Sequence, residues 1–303
     1  MSSFSPFYLV IIPENFNHCL PVSALKNHKT YILDFQLHFM KYIICLFLVV
    51  CVSCAKRPYA STNKIYKQQT KALAAIIKQY PLEDSFPNMD FVGTINFNLR
   101  KPNFVIIHHT AQNSCEQTLR TFTVTHSQVS AHYVICKDGT IHHMLNDYLR
   151  AWQAGVSRWG NDRDINSSSI GIELDNNGFE DFTGPQITSL LHLLSALKKQ
   201  YGIPVANFIG HGDIAPTRKN DPNFRFPWKM LADSGYSYWY DDTTSLALPP
   251  TFDDIQALRI IGYDVRDTTA AIIAFKRHWM QDTLPGLDSA QFKVLFNVMK
   301  KYR

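Results

Sequence analysis

The chain has 303 residues, 46% of them apolar and 18% charged, with a mean hydropathy of −0.15. That balance excludes a disordered chain, and a single long apolar stretch excludes a polytopic membrane protein. Lys and Arg number 30 against 25 Asp and Glu, a net charge of +5; no Lys/Arg block or RNA-binding signature accompanies it, so no nucleic-acid partner is expected.

Residues 1–39 show no charge or hydrophobic logic of their own and are read as a mis-assigned upstream segment. From Met40, one Lys precedes the apolar run Tyr42–Val52, then Ser53 and Cys54. The run has the proportions of a signal-peptide core rather than a membrane span. A small residue just before a cysteine is similar to a bacterial lipoprotein signal, which implies export and a lipid anchor on Cys54; Cys51 departs from the Leu usual there. Residues 40–54 are therefore expected to be the signal. Beyond them only Cys115 and Cys136 remain, and no spacing rule demands that they pair. Cys136, within an apolar strand-like run, reads as a small buried hydrophobe.

Residues 55–95 read as a tether and a lead-in helix, with Ala72, Leu73, Ile76 and Ile77 at helical spacing within 67–80. Phe104–His109 is apolar and β-branched and predicts a first strand. A helical pattern runs through Leu119 and Phe122. Ser130–Cys136 and Thr140–Leu145 flank Lys137-Asp138-Gly139 and predict a hairpin. Ser169–Leu174 predicts another strand, Gly184–Tyr201 an amphipathic helix stopped by Gly202, and Phe208–His211 the next strand and the loop after it. Pro249-Pro250 marks a boundary. Beyond it lie the helical patterns Asp254–Ile261, Thr268–Met280 and Ser289–Lys301, with Thr251 and Asp288 as expected N-caps. The fold class is α/β: a central mixed sheet flanked by helices over 96–245, plus a small three-helix domain over 246–303.

Two histidines, His108 and His211, each follow an apolar run and can meet at one edge of a sheet. Asp221 lies ten positions beyond His211 on an irregular loop. Two imidazoles and a carboxylate would give Zn²⁺ three protein ligands and leave a fourth position for water. Strand alternation puts His109 on the opposite face from His108, so both cannot face one metal. Taken alone, a strand-end histidine is more often a core residue than a ligand. His126, His142, His143 and His278 carry no motif and read as surface or packing residues. Trp152 and Trp228 read as core.

The strings VIIHHT (105–110), SAHYVICKDGTI (130–141), AWQAG (151–155), SSIGIEL (168–174) and HGDIAPTRKNDPNFRFPW (211–228) together resemble the zinc-dependent N-acetylmuramoyl-L-alanine amidases of the type-2 amidase family. The likeness extends to outer-membrane lipoprotein members that carry a C-terminal peptidoglycan-binding-like helical domain, which implies a periplasm-facing location. It implies a sheet of the type-2 amidase and peptidoglycan-recognition kind and hydrolysis of the amide between N-acetylmuramic acid and L-alanine, in peptidoglycan or anhydro-muropeptides. It further implies one zinc on His108, His211 and Asp221, with Glu173 as general base and Lys219 as transition-state stabiliser. His132 and Gln153 are implied substrate contacts; Gln153 stands where the family commonly has His, and can donate a hydrogen bond but not carry a proton. Asn223 stands where the family often has Gly; Asn tolerates the left-handed conformation Gly would supply, so no loss is expected. The alternative is a recognition module of the same fold that binds muropeptide without cleaving it. Asp175 is the reserve carboxylate should Glu173 not be the base.

Overall fold

The structure, a computed structural model, describes residues 40, 58–78, 96 and 98–303. The chain separates into two compact units, 1–91 and 92–303. In the first, α1 (Ala60–Ile77) is an 18-residue helix with no buried residue. It starts ahead of the apolar spacing at 67–80 because Ala, Lys and Gln sustain a helix without an apolar stripe. Segment 1–39, the apolar run and Cys54 lie outside the described residues, Met40 apart. Among those described, no helix is long and apolar enough to cross a membrane.

The second unit is built on one five-stranded sheet. Its strands are β1 (Phe104–His109), β2 (Tyr133–Ile135), β3 (Ile141–His143), β4 (Ser169–Leu174) and β5 (Phe208–Gly210), in the order β3-β2-β4-β1-β5. β2, β4, β1 and β5 are parallel, and β3 is the antiparallel edge. The hairpin strands are shorter than their sequence runs: the Met144 N–H still meets the His132 carbonyl in register, but the Leu145 N–H bends back to that same carbonyl.

Strand alternation assigns the two faces. Val105, Ile107, Ile170, Ile172 and Leu174 face one layer, where α4 (Gly184–Tyr201) buries Ile187, Leu190, Leu194 and Leu197. Thr183 caps that helix and Gly202 ends it at φ 62°. Phe104, Ile106 and Ile209 face the opposite layer. On that side lie α7 (Asp254–Ile261), α8 (Thr268–Met280) and α9 (Ser289–Lys301), which bury Leu258, Phe275, Trp279 and Leu295 in the same cluster as the strand residues. Segments 96–245 and 246–303 therefore share a core and form one unit rather than two domains. Asp253, not Thr251, caps α7 by accepting the Gln256 N–H; Asp288 caps α9 with a capping box.

Four further helices are short. α2 (Cys115–Phe122) is capped by Ser114. α3 (Ile165–Ser168), α5 (His211–Ile214) and α6 (Trp228–Asp233) have four to six residues each, too few to show a period in sequence. Cys115 and Cys136 form a disulfide with Cα atoms 5.3 Å apart, so Cys136 is not the inert apolar filler its setting suggested. Strand β2 and helix α2 come side by side only in the folded sheet.

Candidate metal centre

β1, β4 and β5 run parallel, so their carboxyl ends open on one edge, where sites in α/β sheets form. The β1–β4 register pairs His108 with Glu173 directly, which puts both side chains on one face. His211 follows β5 immediately. Asp221 returns to it through the loop after α5, where the Gly212 N–H donates to the Asp221 carbonyl at 2.6 Å. His108 Nδ1, His211 Nδ1 and Asp221 Oδ2 make a triangle with every side 3.0 Å. All three residues are buried, at 1%, 3% and 6% exposure.

The neighbours of each ring fix its tautomer. The Ser169 hydroxyl donates to the Ile165 carbonyl at 2.6 Å, so it accepts from the Gln153 amide nitrogen at 2.7 Å. Gln153 must then turn its Oε1 to His108 Nε2, 2.5 Å away, and that nitrogen carries the proton. His211 Nε2–H likewise donates to the Ala154 carbonyl at 3.1 Å. In the neutral rings both Nδ1 atoms present bare lone pairs to each other and to a carboxylate oxygen. Three acceptors in mutual contact cannot satisfy one another, and a cation among them can. The residues thus fit a metal ion, and the two imidazoles and one carboxylate are the donor set of an open, catalytic type of site.

Burial alone would raise the Asp221 carboxyl; positive charge beside it, on His211 and His108 when their rings are protonated, holds it well below the usual carboxylate range. Glu173 behaves oppositely. Its Oε1 lies 3.9 Å from His108 Nδ1, and its Oε2 is buried without a hydrogen-bond partner. Burial pushes this carboxyl up to about 7, with Asp221 adding to the rise and His108 and Lys219 opposing it. A carboxyl poised there can take and return a proton near neutral pH. Lys219 is exposed on the loop leading to Asp221, near enough for its charge to act on Glu173. Asp175 lies past the end of β4 beside Cys115 and Lys137, away from the triangle.

Other expected placements need correcting. His132 is fully buried; its Nδ1 accepts the Gly171 N–H at 3.1 Å and its Nε2 bonds the Leu149 carbonyl at 3.0 Å. Both nitrogens are used inside the protein, so it ties β4 to the 149 loop rather than reaching substrate. Gln153 spends both ends of its amide on His108 and Ser169, which makes it a positioning residue for the His108 ring. It reaches His108 only because Gly171 lacks a side chain: a Cβ there would lie 2.6 Å from Gln153 Cγ. Asn223 is not left-handed; its backbone N–H donates to His109 Nδ1 at 3.0 Å and its side chain bonds Asn176. His109 accordingly sits on the face away from the triangle. Trp152 is 55% exposed rather than core, whereas Trp228 is buried. The sequence reading also missed Tyr263, between α7 and α8, and His278, on α8, which both bond Asp213. The signal was the polar triplet Lys276-Arg277-His278 interrupting an apolar helical pattern.

A largely parallel sheet carrying a buried cluster of two His and one Asp, able to hold a metal, with a neighbouring carboxyl suits hydrolytic chemistry. The family model described as N-acetylmuramoyl-L-alanine amidase matches residues 98–224. N-acetylmuramoyl-L-alanine amidase AmiD of Escherichia coli is 30% identical over 238 residues, covering 65% of this chain and 82% of that protein. A solved structure of E. coli AmiD, in complex with the substrate anhydro-N-acetylmuramic acid-L-Ala-D-gamma-Glu-L-Lys, superposes with a TM-score of 0.60 at 28% identity, over 71% of this chain and 95% of that one. AmpDh3 from Pseudomonas aeruginosa, in complex with anhydromuramic pentapeptide, gives 0.61 at 28% identity, over 72% and 98%. This chain belongs to the N-acetylmuramoyl-L-alanine amidase family.

Proposed function

We propose that the protein is a zinc amidase that cleaves the bond between N-acetylmuramic acid and L-alanine in peptidoglycan fragments of the anhydro-muropeptide kind. The observation that carries this is the triangle of His108, His211 and Asp221 with an unpartnered Glu173 oxygen beside it on the adjacent strand. The solved relatives hold anhydromuramic peptides, which favours that substrate form.

Zinc, when held by these three residues, supplies a Lewis acid that polarises the amide carbonyl and acidifies water. Glu173 removes the proton from the attacking water and passes it to the departing alanine nitrogen, so that the C–N bond breaks as the amine leaves neutral. The Lys219 ammonium offsets the negative charge that develops on the carbonyl oxygen. Gln153 and the Ala154 carbonyl keep the two imidazoles in the tautomer that points Nδ1 inward.

The test pairs metal analysis with mass spectrometry of products from purified anhydro-muropeptides and from intact sacculi. The expected result is about one zinc per chain, lost in His211→Ala, and release of free stem peptide. Muropeptide binding without cleavage by the zinc-loaded protein would return the reading to a recognition module. We further propose attachment to the outer membrane through a lipid on Cys54, with the enzyme facing the periplasm. Cys54→Ala is expected to free an active enzyme from the membrane fraction, and an unlipidated wild-type protein would refute the anchor.

A further inference from the structure

We propose that His278, on α8, is a positioning residue for the metal centre, acting through Asp213 on His211; this rests on the metal reading of His108, His211 and Asp221. Asp213 is 4% exposed and receives three donors. The Gly210 N–H and His278 Nδ1–H reach its Oδ2 at 2.8 and 2.7 Å, and the Tyr263 hydroxyl reaches its Oδ1 at 3.0 Å. Gly210 directly precedes His211, and Gly212, directly after it, is tied to the Asp221 carbonyl. The His211–Gly212 peptide is thus fixed by the third metal ligand's own backbone, and the Ile209–Gly210 peptide, one step ahead of His211, by a carboxylate that Tyr263 and His278 hold.

α5 is a single turn and cannot fix its own start, because one turn of helix does not repay the cost of nucleation. Its first residue is His211, so the direction of Nδ1 depends on what anchors Gly210. His278 is itself held rigidly: 2% exposed, stacked on Trp228 at 3.8 Å and on Trp279 at 4.6 Å between centroids, with the Ser237 Oγ 3.3 Å from Nε2. An imidazole needed only for packing would not have to aim Nδ1 at a buried carboxylate. The neighbouring Arg277 presses on the same turn: a Cβ on Gly212 would lie 2.5 Å from its Nη1. The segment that begins past Pro250 therefore reaches into the support of the centre and does more than cover the sheet.

The experiment measures the zinc dissociation constant of the folded full chain by competition with a chromophoric chelator. The variants are His278→Phe, which keeps the stacked ring and loses the N–H, and His278→Asn, which keeps a donor in the Nδ1 position. Loss of such a supporting contact typically weakens metal binding about 10–100-fold, the change expected in His278→Phe, with His278→Asn recovering most of it. Tyr263→Phe, a smaller disturbance, is expected to shift affinity in the same direction and decides the matter should His278→Phe not fold. A merely structural role would lower the unfolding temperature and leave zinc affinity at the wild-type value, and that result overturns the inference. Absence of zinc binding by the unsubstituted protein would instead overturn the metal reading, and this inference with it.

Discussion

Glu173 and His108 come together through strand register, and no feature of either residue's immediate sequence neighbours brings that about. In the proposed mechanism Glu173 moves a proton and holds no metal. Glu173→Gln is accordingly expected to keep zinc and muropeptide affinity while kcat falls about 10²–10⁴-fold, as measured by steady-state kinetics alongside metal content. Loss of zinc in that variant would make Glu173 a ligand. His132 gives a prediction of a different kind. Burial lowers its ring from the usual 6.5 to about 4, so the folded state keeps it neutral while the unfolded chain takes up a proton. The unfolded state then binds more protons between those values. The contribution to stability is complete above about pH 6.5 and disappears as pH falls towards 4, with a size of about 3 kcal/mol. Urea unfolding of wild type and His132→Gln at both ends of this window checks it: the variant should be less stable at pH 7 and lose less on acidification.

At the scale of elements, the ends of helices and the links between them carry the testable content. The α7 cap is Asp253, whose carboxylate accepts the Gln256 N–H at 2.9 Å. Asp253→Ala should therefore lower stability by about 1 kcal/mol, and Thr251→Ala should change it little, on thermal denaturation. The Cys115–Cys136 disulfide joins the start of α2 to the end of β2 across a sequence separation of 21. Closing a loop of that length stabilises a fold by about 3 kcal/mol in the chain-entropy account, so reductant should lower the unfolding midpoint of the wild type and leave a Cys115→Ser, Cys136→Ser double variant unmoved.

For the unit 92–303 as a whole, the consequence of a shared core is cooperativity. Phe104, Ile106 and Ile209 from the strands lie in one cluster with Leu258, Phe275, Trp279 and Leu295 from α7–α9. Trp159, in the loop between β3 and β4, meets Tyr263 edge-on at 5.0 Å. Three short helices have little core of their own, and the sheet face they cover is apolar. Calorimetry should show a single transition for residues 92–303. Trp279→Ala should lower it as a whole, by about 3–5 kcal/mol, without splitting off a C-terminal step. A separate low-temperature transition would restore an independent domain.

Much of this protein is legible in its sequence. β1, β4, α4 and all three C-terminal helices are signalled by patterns of burial period and by caps, because each element long enough to bury a face must repeat apolar residues at its own spacing. The motif strings, in their order, likewise point to His108, His211, Asp221 and Glu173. Tertiary structure alone decided the rest, since it turns on which strands lie side by side. The pairing of β1 with β4 put Glu173 opposite His108, and the missing side chain of Gly171 opened the path for Gln153. It drew both nitrogens of His132 inward and set the two cysteines within bonding reach. It brought His278 and Tyr263 to Asp213 across 65 and 50 positions of chain. No local period encodes such contacts, because they belong to the packing of whole layers and exist only once the layers have met.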